Sequence, residues 1–381
     1  MNLTLSDEQL LLREAARNAL ARIQTLHAAR AALEDGPAHE TLPDLWPMAC
    51  EAGWPGLLID EAHGGAGLDA FDAMLVVGEC GRVLAGVPLI GHLAATAILA
   101  DAPAAAELLE PLATGARRAA YLPAQPPSDV LDGWTADPLA GMHRPPVAQL
   151  SGDSTTVSGR YAFVPDAPGA DTLVGVALRD GEPVGVAIAA DAAGVAIESV
   201  VRYDATRSLG HVELTDAPAT VLDAPVESLE GAWHLAQALL ASEAVGSVET
   251  ALDVSVQYAK ERFTFGRAIG SYQAVKHSLT EVLRRLENGR SLLYYAGWSF
   301  KGMPEEFPLA AACARSVAGH ALDHASRTMI AVHGGIGATW EHDAPLYFRR
   351  AQLSRRLLGG TAGATDRVAS EVFAASERVG A

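Results

Sequence analysis

The sequence predicts a mostly α-helical protein with a β domain in its middle, and three observations carry that expectation. Residues 5 to 115, and again those after about 228, repeat apolar side chains at helical spacing. Residues 118 to 228 offer instead short β-branched runs separated by turns, the pattern of a small antiparallel sheet. Hydrophobic residues make up 49% and charged residues 19%, a composition of globular rather than disordered chains. At 381 residues the chain is long enough for two or three modules sharing a large core.

Taken in order, "MNLTLSDEQLLLREAARNAL" reads as an amphipathic helix with Ser6 as its N-cap. It lacks the basic-then-apolar order of a secretion signal, and no run of about 20 apolar residues follows anywhere. No membrane span and a cytoplasmic location are therefore expected. His63-Gly64-Gly65 reads as a turn with left-handed glycines, after which a helix resumes from about Asp69. "YLPAQPPSDVLDGWTADPLAGMHRPP" is a Pro- and Gly-rich loop. The strand candidates are "STTVSGRYAFVPDA", "DTLVGVAL", "EPVGVAIAA", "GVAIESV" and "LGHVELTDAPATVL". Near Glu227 the pattern turns helical for good, and four long helices imply a bundle. The expected domains are 1–117 (N-terminal helical), 118–228 (middle β) and 229–381 (C-terminal four-helix bundle). Clefts at such junctions are common cofactor sites.

Several functions are disfavoured. With 46 acidic against 28 basic residues, no broad face neutralises a nucleic-acid backbone. Cys50, Cys80 and Cys313 give neither a disulfide framework nor a metal spacing. HExxH and Gly-x-Ser-x-Gly patterns are missing, so metal catalysis and a serine nucleophile lack support. Against this acidic background "ERFTFGRAIGSYQAVKH", residues 261–277, gathers Arg262, Arg267, Lys276 and His277. Arg262 falls at a helix end, Thr264 and Phe265 on a connecting elbow, and Gln273 in the first turns of the next helix. A cation, a hydroxyl and a helix start together suit a diphosphate; a capped turn with solvated bases is the alternative. In "AVHGGIGATWEHDAPLYFRRAQLSRRLLGGTAGATDR", Gly334, Gly335 and Gly337 allow close backbone approach. His333 there reads as a core or capping residue.

Jointly these stretches resemble the acyl-CoA dehydrogenase family. "RFTFGRAIGSYQAVKH" is similar to its Arg-x-x-Phe-Gly-x-x-Ile-x-x-x-Gln pattern, and "HGGIGATWEHDAPLYFRRA" to its Gly-Gly-x-Gly segment. A weaker likeness runs through "EAGWPGLLIDEAHGGAG". The resemblance implies the family fold: an N-terminal helical domain, a small β-barrel-like domain and a C-terminal four-helix bundle. It further implies FAD, α,β-dehydrogenation of an acyl-CoA or acyl-carrier-protein thioester, and an electron-transfer flavoprotein or similar acceptor. Carried over by position, Arg262, Thr264, Phe265 and Gln273 reach the neighbouring subunit's FAD, with Gly334 and Gly335 among the cofactor contacts.

The chain departs from the family at the catalytic base, a carboxylate that removes the α proton. One family position falls on Leu358 or Gly359, the other on Ala236, and none of these accepts a proton. Glu243 is the displaced candidate, seven residues beyond Ala236 and about 10 Å along the helix. Its structural alternative is an ion pair with a bundle arginine such as Arg284 or Arg285. Glu249 and Glu281 have weaker claims. The ring-holding motifs are altered too: Phe163 stands near an expected Trp, Val164 and Pro165 offer no hydroxyl, and Ala331 replaces a Gln. Such a pattern resembles the β-type subunits of α₂β₂ acyl-CoA dehydrogenases of actinobacterial steroid catabolism. Three readings follow: a base-deficient member of a heteromer, a self-sufficient homo-oligomer using Glu243, or a non-catalytic scaffold. Arg349, Arg350, Arg355 and Arg356 read as a solvated helix face or intersubunit bridges, with a CoA phosphate as the alternative. Thr206 and Arg207 fall where the sheet could face an acyl chain, and Trp233, Trp298 and Trp340 read as packing residues.

Overall fold

Ser6 opens the first helix, α1 (Asp7–Leu20), through a reciprocal capping box with Gln9. The computed structural model describes residues 4–23, 25–34, 44–128, 133–136, 147–150, 155–200 and 203–380. Helices α2 (Thr25–Glu34), α3 (Trp46–Glu51), α4 (Ala70–Arg82), α5 (Leu89–Ala100) and α6 (Leu109–Ala113) complete an N-terminal helical module. Asp69 caps α4 by accepting the Phe71 and Asp72 amides at 2.8 and 3.2 Å. The turn before it divides its two glycines by role. Gly64 takes φ +78°, whereas Gly65 lies so close to the Ile59 carbonyl that a Cβ would collide with it. Helix α5 is apolar on all sides and almost wholly buried.

The middle of the chain forms a curled sheet. Its strands are β1 (Ala119–Leu122), β4 (Ala148–Leu150), β5 (Thr156–Pro165), β6 (Thr172–Arg179), β7 (Glu182–Ala189), β8 (Val195–Ser199), β9 (Leu209–Pro218) and β10 (Thr220–Leu222). A separate two-stranded piece joins β2 (Ala124–Gln125) to β3 (Thr135–Ala136). The main path runs β10-β7-β6-β4-β5-β9-β8, with β1 parallel to β6. Each sequence-expected run becomes a strand; β6 and the second half of β7 are buried on both faces rather than alternating. Two register shifts interrupt the β5–β9 pairing, and Phe163 sits at the second with φ +55°. Much of the expected Pro/Gly loop, including 129–132 and 137–146, lies outside the described residues.

After the sheet come α7 (Val226–Glu261), α8 (Gln273–Gly302), α9 (Phe307–His333), α10 (Ala344–Ser354) and α11 (Gly360–Gly380). Every residue of α7 from Ala232 to Val248 is buried, so this helix is the axis around which α4, α5, α8 and α9 pack. Its crossing with α4 is unusually close. A Cβ on Gly246 would meet the Gly78 carbonyl, and one on Gly81 would meet the Glu243 carbonyl. Hydroxyls stitch the same seam: Ser247 donates to the Gly81 carbonyl at 2.8 Å, and Ser242 to that of Met74. Among the described residues no helix is long and apolar enough to cross a membrane.

A single imidazole ties the helical module to the sheet. His92 of α5 is fully buried, and its Nδ1 accepts the Ala119 amide of β1 at 3.1 Å. Burial pushes its pKa down to about 4, so the ring is neutral in the fold. The folded value lies below the unfolded one, so the contribution is complete above about pH 6.5 and fades as pH falls toward 4. We expect His92 to account for about 3 kcal/mol of acid destabilisation across that window. Urea titrations of wild type and His92→Gln at pH 7.5 and 4.5 check this, the variant showing the shallower pH dependence.

Candidate functional site

Helix α7 ends at Glu261, and the chain then projects a two-stranded hairpin, β11 (Phe263–Thr264) with β12 (Arg267–Ala268). Phe265 at its tip is 92% exposed with φ +53°, and Phe263 is exposed as well. Two contacts stiffen this elbow. The Tyr272 hydroxyl donates to the Thr264 carbonyl at 3.0 Å, and Arg267 stacks over the Tyr272 ring at 4.0 Å. Arg262 is exposed and makes no ion pair among the described residues. Gln273 is the first residue of α8, whose start has no side-chain cap, so its amides and dipole face outward.

Gly334 and Gly335 follow α9 beside this elbow. The link is His333, whose ring packs on Tyr258 near the end of α7 at 4.3 Å and on His342 at 4.1 Å. His333 is buried and its Nδ1 pairs with the Met329 carbonyl at 2.7 Å, the capping role expected for it. No atom lies within 4 Å of a Cβ placed on Gly334 or Gly335, so the backbone there is open to approach. All six sequence-nominated cofactor residues thus lie at one exposed end of the bundle.

The positions expected for the base lie elsewhere, at the seam between sheet and bundle. Gln125, Pro126 and Ser128 of the altered ring-holding stretch, together with Leu358 and Gly359, border one cavity of about 30 Å³. That volume holds a water or two. The wall facing them is α7, where Ala236 is fully buried and Gln237 donates to the Leu358 carbonyl at 2.7 Å. From beneath, the buried Arg315 of α9 donates to the carbonyls of Ser354 and Leu357. The turn held in this way is left-handed at Leu358, Gly359 and Gly360 in succession. Phe163 packs edge-on against His211 at 4.9 Å, filling its own corner.

Glu243 is buried, but its partners differ from those expected. Arg207 and Arg350 pair with it, Arg350 at 2.7 Å, while Arg284 and Arg285 both pair with Glu281. The face of α7 carrying residue 243 turns toward α4 and the β8–β9 connection, away from α8. Arg350 also meets Asp204 at 2.7 Å and the Thr206 hydroxyl and carbonyl at 2.6 and 2.9 Å. Burial alone would lower the Arg350 pKa; Glu243 and Asp204 outweigh it and hold the guanidinium above its ordinary value. For Asp204 burial is likewise overridden, by Arg350 and Thr206, and the carboxyl stays below the usual range. Arg350 is therefore no part of a solvated face, and Thr206 and Arg207 belong to this cluster rather than to an acyl-facing wall. Both carboxylate oxygens of Glu243 are thus engaged by guanidinium N–H groups. Glu281 is half-buried and held down to about 2, chiefly by Arg284, and Glu249 bridges Arg82 at 2.8 Å.

Other nominated residues are dispersed. Arg349 lies between the exposed rings of Tyr203 and Trp340, at 4.2 and 4.6 Å, and Arg355 approaches Asp323 at 3.6 Å. Trp233 is buried, but Trp340 is 41% exposed. Sequence reasoning passed over Asp204, Gln237 and Arg315. Gln237 and Arg315 stand in otherwise apolar helical stretches, and a polar residue on the core face of a helix needs a partner; Asp204, in the polar β8–β9 connection, carried no such signal.

This arrangement of helical module, curled sheet and bundle, with the elbow and the Gly-Gly segment side by side, is that of an acyl-CoA dehydrogenase. Residues 6–124 match "Acyl-CoA dehydrogenase, N-terminal domain" and residues 229–373 "Acyl-CoA dehydrogenase, C-terminal domain"; the chain belongs to this family. The family comprises FAD-binding oxidoreductases acting on the CH–CH group of acyl-CoA. Acyl-CoA dehydrogenase IpdE2 of Mycobacterium tuberculosis (strain ATCC 25618 / H37Rv) is 32% identical over 373 residues, covering 97% of this chain and 99% of IpdE2. Among solved structures, the Tcur3481-Tcur3483 steroid ACAD G363A variant superposes with TM-score 0.84 at 28% identity, covering 98% of this chain and 100% of that one. The ChsE4-ChsE5 complex from Mycobacterium tuberculosis shares the fold, with TM-score 0.82 at 23% identity and coverage of 98% and 99%.

For FAD, the two halves of the site differ. Arg262, Thr264 and the bare α8 start suit a diphosphate approaching from outside the chain. The seam cavity of about 30 Å³ does not admit an isoalloxazine ring of this chain's own. Glu243→Gln is expected to lower stability by about 3 kcal/mol, because it leaves two buried guanidiniums undercompensated. Glu281→Gln, near the surface, shifts the urea midpoint far less. Parallel denaturation curves of the two variants check this.

Proposed function

We propose that this chain is the base-deficient, β-type member of a heteromeric, FAD-dependent acyl-CoA dehydrogenase, and that its elbow completes the flavin site of a neighbouring chain. The observation that carries the reading is that each position nominated for the base is unusable. Ala236, Leu358 and Gly359 occupy the expected positions, and Glu243 is consumed by Arg207 and Arg350. A general base must reach the α carbon unencumbered, and none of these residues does. FAD supplies the two-electron acceptor for α,β-dehydrogenation when bound. This chain's part is to bind and orient: Arg262 and the α8 amides offset phosphate charge, Thr264 donates a hydroxyl, and Phe265 covers an apolar surface of the neighbour.

Two further points support the reading. Phe265 is too exposed to be explained by this chain's own packing. The 28%-identical structural relative is itself named as a pair, Tcur3481-Tcur3483, and as a steroid ACAD. We accordingly infer a steroid-derived acyl-CoA thioester as the assembly's substrate and an electron-transfer flavoprotein or similar acceptor as its oxidant.

Expressed alone, the protein should be colourless; co-expressed with its partner, the complex should carry one flavin per two chains. Arg262→Ala should leave the complex assembled but strip most of its flavin, read by absorbance at the flavin bands. Phe265→Ala should leave the isolated chain's stability unchanged while weakening flavin retention. An isolated chain that purifies with full flavin and oxidises a thioester unaided would sink the proposal. A stable complex colourless under every condition would leave only the scaffold role.

A further inference from the structure

A groove of about 640 Å³ opens where the end of α5, the first turns of α7 and the α8–α9 connection meet. This volume is in the range of small-molecule sites, and the groove differs from the seam cavity in size and, apart from His234, in lining. Its wall is apolar: Leu235 and Phe307 are buried, and Phe300 packs edge-on against Phe307 at 5.0 Å. Its rim is acidic, with Asp60, Asp101, Glu227, Glu230 and Glu305 against Lys301. Such a rim repels anions, so carboxylates, phosphates and coenzyme A are disfavoured occupants.

One polar side chain stands in this wall. His234 of α7 is 5% exposed, and no hydrogen bond or ring contact satisfies its imidazole among the described residues. Burial, reinforced by Arg367, pushes its pKa down to about 3, so the ring is neutral and offers one N–H donor and one nitrogen acceptor. Neither has a protein partner, but neither is sealed from solvent, so water reaches the ring and an incoming polar group can take its place. A hydroxyl group is the simplest complement, since it donates and accepts through one atom.

We infer that this groove binds an uncharged apolar molecule bearing a hydroxyl, with the hydroxyl on His234 and the hydrocarbon body against Leu235, Phe300 and Phe307. The inference is independent of how flavin is shared between chains. His234 also borders the seam cavity, so a variant confined to the groove is needed to assign the site. Gly231 provides it: the residue lines the groove, and nothing lies within 4 Å of a Cβ placed there. Gly231→Trp would set an indole in the groove from a position whose Cβ meets no protein atom within 4 Å.

The probes are 2-naphthol and 2-naphthoate, which share a ring and differ in charge at pH 7.5. Calorimetric titration of the purified chain should show 2-naphthol binding about tenfold or more tighter than 2-naphthoate. His234→Phe should weaken 2-naphthol by roughly fivefold to tenfold, and Gly231→Trp should abolish saturable binding. Urea midpoints of both variants are measured alongside; if His234→Phe is poorly folded, Gly231→Trp decides. Equal affinity for the two probes, unchanged binding by Gly231→Trp, or no saturable binding of 2-naphthol by wild type would each overturn the inference.

Discussion

A buried carboxylate held between two guanidiniums organises this molecule. Glu243 stands on a stretch of α7 with no access to water, and an unpaired charge there would be far too costly to keep. Arg350 from α10 and Arg207 from the β8–β9 connection converge on it, and Asp204 completes two positive and two negative charges. Arginine suits this role because its fork of donors meets several acceptors at once, here a carboxylate pair, a hydroxyl and a carbonyl. Through that one cluster the sheet, the central helix and the C-terminal helices acquire a common reference point. The same cluster removes the carboxylate best placed by sequence to act as a base.

What could be read from the sequence, and what could not, divides along the range of the forces involved. Ser6 and Asp69 announce their helices because capping acts over three residues. The strands and the elbow were similarly legible, since alternation and the Arg-x-x-Phe-Gly spacing are local patterns. Glu243 was recognised as buried, yet its partners were misassigned, because Arg207 and Arg350 lie 36 and 107 residues away. Helix periodicity favoured a neighbouring helix such as α8, whereas the tight α4–α7 crossing rotates residue 243 toward the sheet. The succession of left-handed residues at Leu358–Gly360 was equally hidden, because it is imposed by Gln237 and Arg315 from other helices.

Exposure and closure are distributed in an instructive way. At the seam where the base was expected, this chain is filled by Gln237, Leu358 and the end of α10 held by Arg315. At the elbow, by contrast, it presents bare aromatic rings, an arginine with no ion pair among the described residues and an uncapped helix start. The proposed division of labour between two chains rests on that contrast. The acidic surface fits the same picture, since a cationic elbow stands out all the more sharply on a chain of formal charge −18.

The glycine contacts between α4 and α7 have a mechanical implication. With backbone resting directly on backbone at Gly81 and Gly246, and only the small Ser242 and Ser247 hydroxyls between, neither helix can slide or roll without a steric clash. The amino-terminal helices and the bundle must therefore travel as one rigid block. The sheet is fastened to that block partly by titratable groups, His92 and the Glu243 cluster, and is therefore the layer that acid can prise loose.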